Sequence, residues 1–142
     1  MKIKECDIDD CAMLASFNKQ LIEDEGHDNP MGVDDLQNRM EQFISGEYKA
    51  FALIENQEVI GYALVNMAST PLYLRQFFIC RAHRRKGYGR KAFAELLNHL
   101  GAEKIDIEVL HWNLAGIAFW KSLGFEPRSV YMRYGGIPEE PG

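Results

Sequence analysis

The densest chemistry in this sequence lies in "RRKGYGRKAF", Arg84 to Phe93, where arginines and lysines surround Gly87 and Gly89. Closely spaced glycines let a backbone approach a bulky anion with no Cβ in the way. At the start of a helix, successive N–H groups point into one concavity and share the positive end of the helix dipole. Arg81, Arg85, Lys86, Arg90 and Lys91 can neutralise further charge. The chemistry suggested is the binding of a phosphate or pyrophosphate, in a chain whose net charge is −5.

Three patterns compete for this stretch. A P-loop, G-x-x-x-x-G-K-[ST], needs a lysine and a hydroxyl after its second glycine. The glycines here are too close together, and Lys91-Ala92 supplies no hydroxyl. The dinucleotide fingerprint G-x-G-x-x-[GA] does match at Gly87 to Ala92, with Asp106 or Glu108 as the following acid. That fingerprint requires the strand to run almost directly into the first glycine, whereas "RAHRRK" intervenes, and too little chain remains for the rest of such a sheet. The third pattern, [QR]-x-x-G-x-[GA], fits Arg84-Arg85-Lys86-Gly87-Tyr88-Gly89 after a strand and before a helix.

The elements that must position this loop follow from periodicity. "MKIKEC" alternates as a short strand. Asp7 or Asp9 caps a helix carrying Leu14, Phe17, Leu21 and Ile22 and ended by Gly26; a second helix spans about Val33 to Ser45, with Leu36, Met40, Phe43 and Ile44 on one face. "YKAFALIEN" and "EVIGYALVNMA" form a hairpin turning at Asn56 and Gln57. Pro71 opens the strand "LYLRQFFIC", which enters the basic loop. A helix from Tyr88 to Leu100 stops at Gly101. "KIDIEVL" is a strand, "NLAGIAFWKSLG" a short helix capped by Asn113, and "SVYMRYG" a final strand. The order β-α-α-β-β-β-α-β-α-β describes one mixed-sheet α/β domain over residues 1–135, with 136–142 as a loose tail.

Composition narrows the class. The acidic balance argues against nucleic-acid binding. No apolar run approaches the roughly 18 residues of a membrane span, and "MKIKECDIDD" does not read as an export leader. Cys6, Cys11 and Cys80 are expected to be reduced thiols in a cytoplasmic protein. With His27, His83, His99 and His111 they show no metal-ligand spacing, so no metal is expected.

The loop resembles motif A of the GNAT superfamily of acetyl-CoA-dependent N-acetyltransferases. "NLAGIAFWKSLGF", Asn113 to Phe125, resembles motif B, and the element order fits throughout. The resemblance implies that backbone N–H groups of Arg85, Lys86, Gly87, Tyr88, Gly89 and Arg90 hold the pyrophosphate of acetyl-CoA, the acetyl-donor cosubstrate, with Arg84 opening the motif. Phe77, Phe78 and Ile79 would pair with the pantetheine arm as an added strand, and an N–H there would polarise the thioester carbonyl. Asn113 would contact the pantetheine or its waters as well as cap its helix, and Phe119 and Trp120 would line the channel. The implied reaction moves the acetyl group to a primary amine by direct attack in a ternary complex. The rival readings are a non-catalytic acyl-CoA-binding or sensing module and a dinucleotide-binding oxidoreductase domain.

Two departures bear on mechanism. The family's usual acid tyrosine, seven residues after the motif B asparagine, is replaced by Trp120, whose indole cannot deliver a proton at neutral pH. Tyr131 and Tyr134 are candidate substitutes, or the thiolate leaves unprotonated. Where some members carry a glutamate, this chain has Tyr73-Leu74-Arg75-Gln76. His111, at the end of "KIDIEVLH", is the expected general base, histidine being the side chain suited to proton exchange near neutrality. Glu23, Asp24, Glu25 and Asp28 in the inter-helix segment would attract a cationic acceptor, whether small molecule or protein amine. Glu55 and Glu58 read as solvated hairpin residues. Cys80 has no partner that suggests a covalent route. Family habit also suggests a homodimer through the sheet edge or tail.

Overall fold

The structure, a computed structural model, describes residues 1–135; the expected tail lies outside the described residues. Its elements are β1 (Lys2–Glu5), α1 (Cys11–Glu25), α2 (Val33–Ser45), β2 (Tyr48–Glu55), β3 (Glu58–Asn66), β4 (Leu72–Ile79), α3 (Tyr88–Leu100), β5 (Ile105–Ile107) and α4 (Leu114–Ser122). The strands form one five-stranded sheet in sequence order. All neighbouring pairs are antiparallel except β4 and β5, which run parallel.

Local chemistry accounts for the boundaries. Asp7 caps a short 3₁₀ turn before α1: its Oδ1 accepts from Asp9 N–H, and Asp10 Oδ2 accepts from Asp7 N–H in return. The hairpin turns at Asn56 and Gln57, both with positive φ (51° and 65°), as a two-residue turn with the twist of its strands requires.

β3 alternates cleanly. Tyr62 and Leu64 face α1 and α2, packing with Leu14, Met40 and Phe78, whereas Ala63 and Val65 face α3 and α4 beside Phe93 and Leu96. β4 carries a bulge: Leu64 pairs with Gln76 and Val65 with Leu74, so Arg75 is the extra residue. The bulge shifts the alternation by one. Leu74 and Phe77, three apart, therefore share the α3/α4 face, while Gln76 and Phe78 share the other.

Two expectations about strands are corrected. The strand expected over "KIDIEVL" shrinks to Ile105–Ile107, because β5 pairs with β4 only from Leu72/Ile105 to Leu74/Ile107 and then diverges. The expected final strand "SVYMRYG" does not form. Its side chains lie in solvent (Val130 76%, Tyr131 81%, Met132 85% and Tyr134 104% exposed), and with no neighbouring strand among the described residues a strand-prone run has nothing to pair with.

Candidate functional site

The divergence of β4 from β5 creates the site. Beyond Leu74 the bulged strand runs on to Ile79 with β3 on one side and, among the described residues, no strand on the other. Cys80 N–H donates to Ile60 C=O at 2.7 Å. Backbone groups alternate along an antiparallel ladder, so Phe78 turns its N–H and C=O towards β3, and those of Phe77 and Ile79 point to the open edge. The Ile79 carbonyl, accordingly, accepts from Arg84 Nε at 2.8 Å. Phe77 thus offers the N–H expected of an oxyanion donor, whereas Phe78, grouped with it from sequence, spends its backbone on the sheet.

The loop that follows is built to present amides. Arg84 is extended, Arg85 adopts φ +63° and Gly87 φ +77° before α3 begins at Tyr88. A non-glycine residue such as Arg85 in the left-handed region is strained, and such strain clusters at functional loops. Among the described residues, the N–H groups of Arg85, Lys86, Gly87, Tyr88, Gly89 and Arg90 find no backbone or side-chain acceptor; the first helical bond runs from Lys91 N–H to Gly87 C=O. No acidic residue occupies the first turn of α3. The result is a concave set of donors at the positive end of a helix, an anion seat.

The surrounding cations divide into committed and free. Arg81 and Arg84 donate to the two oxygens of Asp24 at 2.6 and 2.5 Å, tying the end of α1 to the end of β4. Arg84 also lies over the Phe78 ring, and its own N–H donates to Arg81 C=O. The Arg84 side chain, at the residue expected to open the cofactor motif, thus braces the loop. Asp24, expected to draw in an amine, is neutralised by the same clamp; burial pushes its carboxyl up, but the arginine hydrogen bonds outweigh this and hold it below the usual range. Glu55 is no mere solvated residue, since it pairs with Lys91 at 3.3 Å and with the Met1 amino group at 3.4 Å. Arg90 reaches Ser122 Oγ at 3.1 Å. Arg85 and Lys86 make no ion pair among the described residues, and remain to meet a phosphate.

Motif B docks against this seat. Asn113 Oδ1 accepts from Gly116 N–H at 3.0 Å, capping α4. A Cβ on Gly89 would stand 3.1 Å from the Phe119 ring, so this glycine admits α4 as much as any ligand. Trp120 packs edge-on against Phe77, Phe93, Phe119 and Phe125, at 4.9 to 5.4 Å between ring centroids.

A small cavity of about 40 Å³ opens where β4 and β5 part, lined by Glu25, Gln76, Phe77, Glu108 and Trp120. Trp112 Nε1 donates to Glu25 C=O at 3.2 Å, which draws the end of α1 over the divergence. Gln76 is 9% exposed and accepts from the Tyr62 hydroxyl at 2.8 Å. Burial, then the neighbouring Asp24, raises the Glu25 carboxyl above the usual range. Burial and the Glu108 carboxylate push Tyr73 up to about 12.

The two proton-transfer candidates from sequence are not brought here. His111 is exposed on a turn, edge-on to Trp112, outside the cavity lining. Tyr131 stands in solvent against Arg133. Glu25 and Gln76 were missed as cavity residues because both get there by tertiary events, the Trp112 tie and the β4 bulge, that leave no local signature. A larger cleft of about 340 Å³, between Glu5, Ile44, Tyr48 and Met67, lies on the β1–β2 side of the sheet and shares no residue with the cavity. Burial raises all three thiols, Cys6 to about 12, which keeps them protonated and inert.

Residues 14–125 match the acetyltransferase (GNAT) family model, and the chain belongs to that family. Over 133 residues it is 28% identical to an uncharacterised protein of Mycobacterium leprae (strain TN), covering 90% of this chain and 34% of that protein. The chain thus spans about a third of the length of the curated relative it matches. Among solved structures, a possible acetyltransferase from Clostridium difficile 630 superposes with TM-score 0.77 at 17% identity, over 97% of this chain and 98% of the other. The aminoglycoside N-acetyltransferase AAC(6')-Iy in complex with CoA gives 0.72 at 16%, over 95% and 93%. These likenesses establish the fold. No helix among the described residues is long and apolar enough to cross a membrane.

Proposed function

We propose that residues 1–135 act as one domain that transfers the acetyl group of acetyl-CoA to a primary amine by direct attack within a ternary complex. The observation that carries this reading is the run of unpartnered amides from Arg85 to Arg90, set at the end of a strand whose edge is open. A pyrophosphate satisfies those donors, and Arg85 and Lys86 add charge. The pantetheine arm then lies along the Phe77–Ile79 edge as a further strand. Bound acetyl-CoA supplies an activated acyl carbon; Phe77 N–H stabilises the charge that gathers on its oxygen. Trp120 fixes Phe77 by packing and closes the cavity to water. Holding amine and acyl carbon in one cavity provides a large part of the rate by proximity alone. That AAC(6')-Iy is a CoA-bound enzyme acting on aminoglycosides supports an amine as acceptor.

The test is a thiol-release assay with acetyl-CoA and a panel of amines: polyamines, amino sugars, lysine peptides and peptide N-termini. Acetylation of any panel member above the no-amine control supports the reading. Tight binding of CoA with no turnover on any of them favours the non-catalytic module, which the replacement of a proton-donating tyrosine by Trp120 keeps in view.

A further inference from the structure

We infer that Glu25 is the general base of the acetyl transfer, and that together with Gln76 it forms the seat of the acceptor amine. The inference rests on the acetyltransferase reading above.

Geometry carries it. The cavity of about 40 Å³ adjoins Phe77, whose N–H faces the open edge, so its contents lie beside the reacting carbonyl. That space takes an ammonium head, a water needing roughly 10–15 Å³ of such volume, while the body of the substrate stays outside. Charged and polar groups meet the cavity from every packed element: Glu25 from α1, Arg75 and Gln76 from β4, and Glu108 after β5, with Tyr62 of β3 behind Gln76.

Two of these are left with unmet bonding capacity. The Glu25 carboxylate makes no hydrogen bond and no ion pair among the described residues; only its main-chain carbonyl is engaged, by Trp112. Gln76, more than nine-tenths buried, accepts at its Oε1 from Tyr62, while its Nε2 has no acceptor among the described residues. A half-buried carboxylate with no cation of the chain beside it suits a cation, and an amide N–H2 left free at the cavity suits an acceptor atom. A primary ammonium with a hydroxyl or carbonyl oxygen close by satisfies both. Glu108 is the weaker candidate, because it already has the Tyr73 hydroxyl beside it. Burial and Asp24 give Glu25 a higher proton affinity than an ordinary carboxyl, which suits a base.

The protons balance. One proton of the acceptor ammonium passes to Glu25, freeing the lone pair that forms the C–N bond as the C–S bond breaks. The second nitrogen proton ends on the departing thiolate, giving the free thiol, and Glu25 returns its proton to solvent.

The experiment compares wild type, Glu25→Gln and Glu108→Gln in steady-state acetylation from about pH 6 to about pH 10, with CoA affinity measured by calorimetry on each. Positioned bases contribute about 10²–10⁴-fold. Glu25→Gln is expected to lower kcat at least about a hundredfold at neutral pH, to leave CoA affinity unchanged, and to recover rate as rising pH frees the amine. Glu108→Gln is expected to lose less than about tenfold. A matched amine pair with and without the neighbouring oxygen should differ in kcat/KM, in favour of the oxygenated member. If the wild type acetylates an amine and Glu25→Gln keeps kcat within about threefold, this inference alone falls. Equal loss of CoA affinity and rate would make Glu25 structural and also overturn it. No turnover by wild type on any amine would overturn both the inference and the reading beneath it.

Discussion

Replacing Gly87 by valine separates the loop's conformation from its packing. Gly87 sits at φ +77°, and a Cβ there meets nothing within 4 Å, so the branch point of the new side chain touches no neighbour. Its only cost is that of a branched residue in the left-handed region, about 2 kcal/mol. Gly101, which ends α3 at φ +63°, is equally open and provides the control. At Gly101 the backbone N–H is bonded to Asn98 C=O, so the strain is held in the fold and appears as lost stability. The N–H groups from Arg85 to Arg90 have no acceptor among the described residues, so the loop relaxes, the N–H groups turn away, and the strain is met only when an anion binds. The cost then appears in affinity: about 2 kcal/mol is roughly thirtyfold in Kd. Calorimetric titration with CoA and thermal unfolding of both variants measure the two quantities. Gly87→Val should bind CoA some thirtyfold more weakly with little change in Tm, and Gly101→Val should do the reverse. A Gly87→Val protein with wild-type CoA affinity would refute the amide-seat argument.

Three further outcomes follow from the same geometry. The Asp24 carboxyl is held below the usual range by Arg81 and Arg84, so its stabilisation is present above the ordinary carboxylate pKa and is lost as pH falls through the lowered value; Asp24→Asn should cost about 1 kcal/mol at neutral pH, with the difference vanishing in acid denaturation curves. Glu25 has the opposite sign: its raised carboxyl favours the fold below the ordinary carboxylate pKa, and that contribution is lost as pH rises through the raised value, so the Tm of Glu25→Gln should gain on wild type as pH rises from the ordinary carboxylate pKa through the raised one. Trp120→Ala removes a ring packed on Phe77, Phe93, Phe119 and Phe125 and should destabilise by about 3–5 kcal/mol in denaturant unfolding, while Trp120→Phe, which keeps a smaller aromatic ring there and removes an indole N–H with no hydrogen bond among the described residues, should keep kcat within about threefold.

What the sequence disclosed, and what it hid, divides by range. The amide loop was legible because Gly87, Gly89 and the helix start sit within a few residues of one another, and Asn56-Gln57 was legible because a two-residue turn is local chemistry. The four helices followed from apolar spacing. The final strand was misread because the strand-prone run Val130, Tyr131 and Met132 states only a willingness to pair, and no strand lies beside it among the described residues. Arg84 was legible as the residue that opens the motif, but its tie to Asp24, sixty residues away, was not. Glu25 was one of a group of acids until the Trp112 tie and the Asp24 clamp divided them. His111 was proposed on strand-end position, but β5 ends earlier than expected and leaves it on an exposed turn.

The most direct test of the central claim, that the amides from Arg85 to Arg90 seat the pyrophosphate of acetyl-CoA, is a calorimetric titration of the wild-type chain with acetyl-CoA, alongside NADH and NADPH. Saturable binding of acetyl-CoA at one site per chain, weakened by salt and absent for both nicotinamide nucleotides, is the predicted result. Binding of a nicotinamide nucleotide in place of acetyl-CoA, or of none of the three, would contradict it.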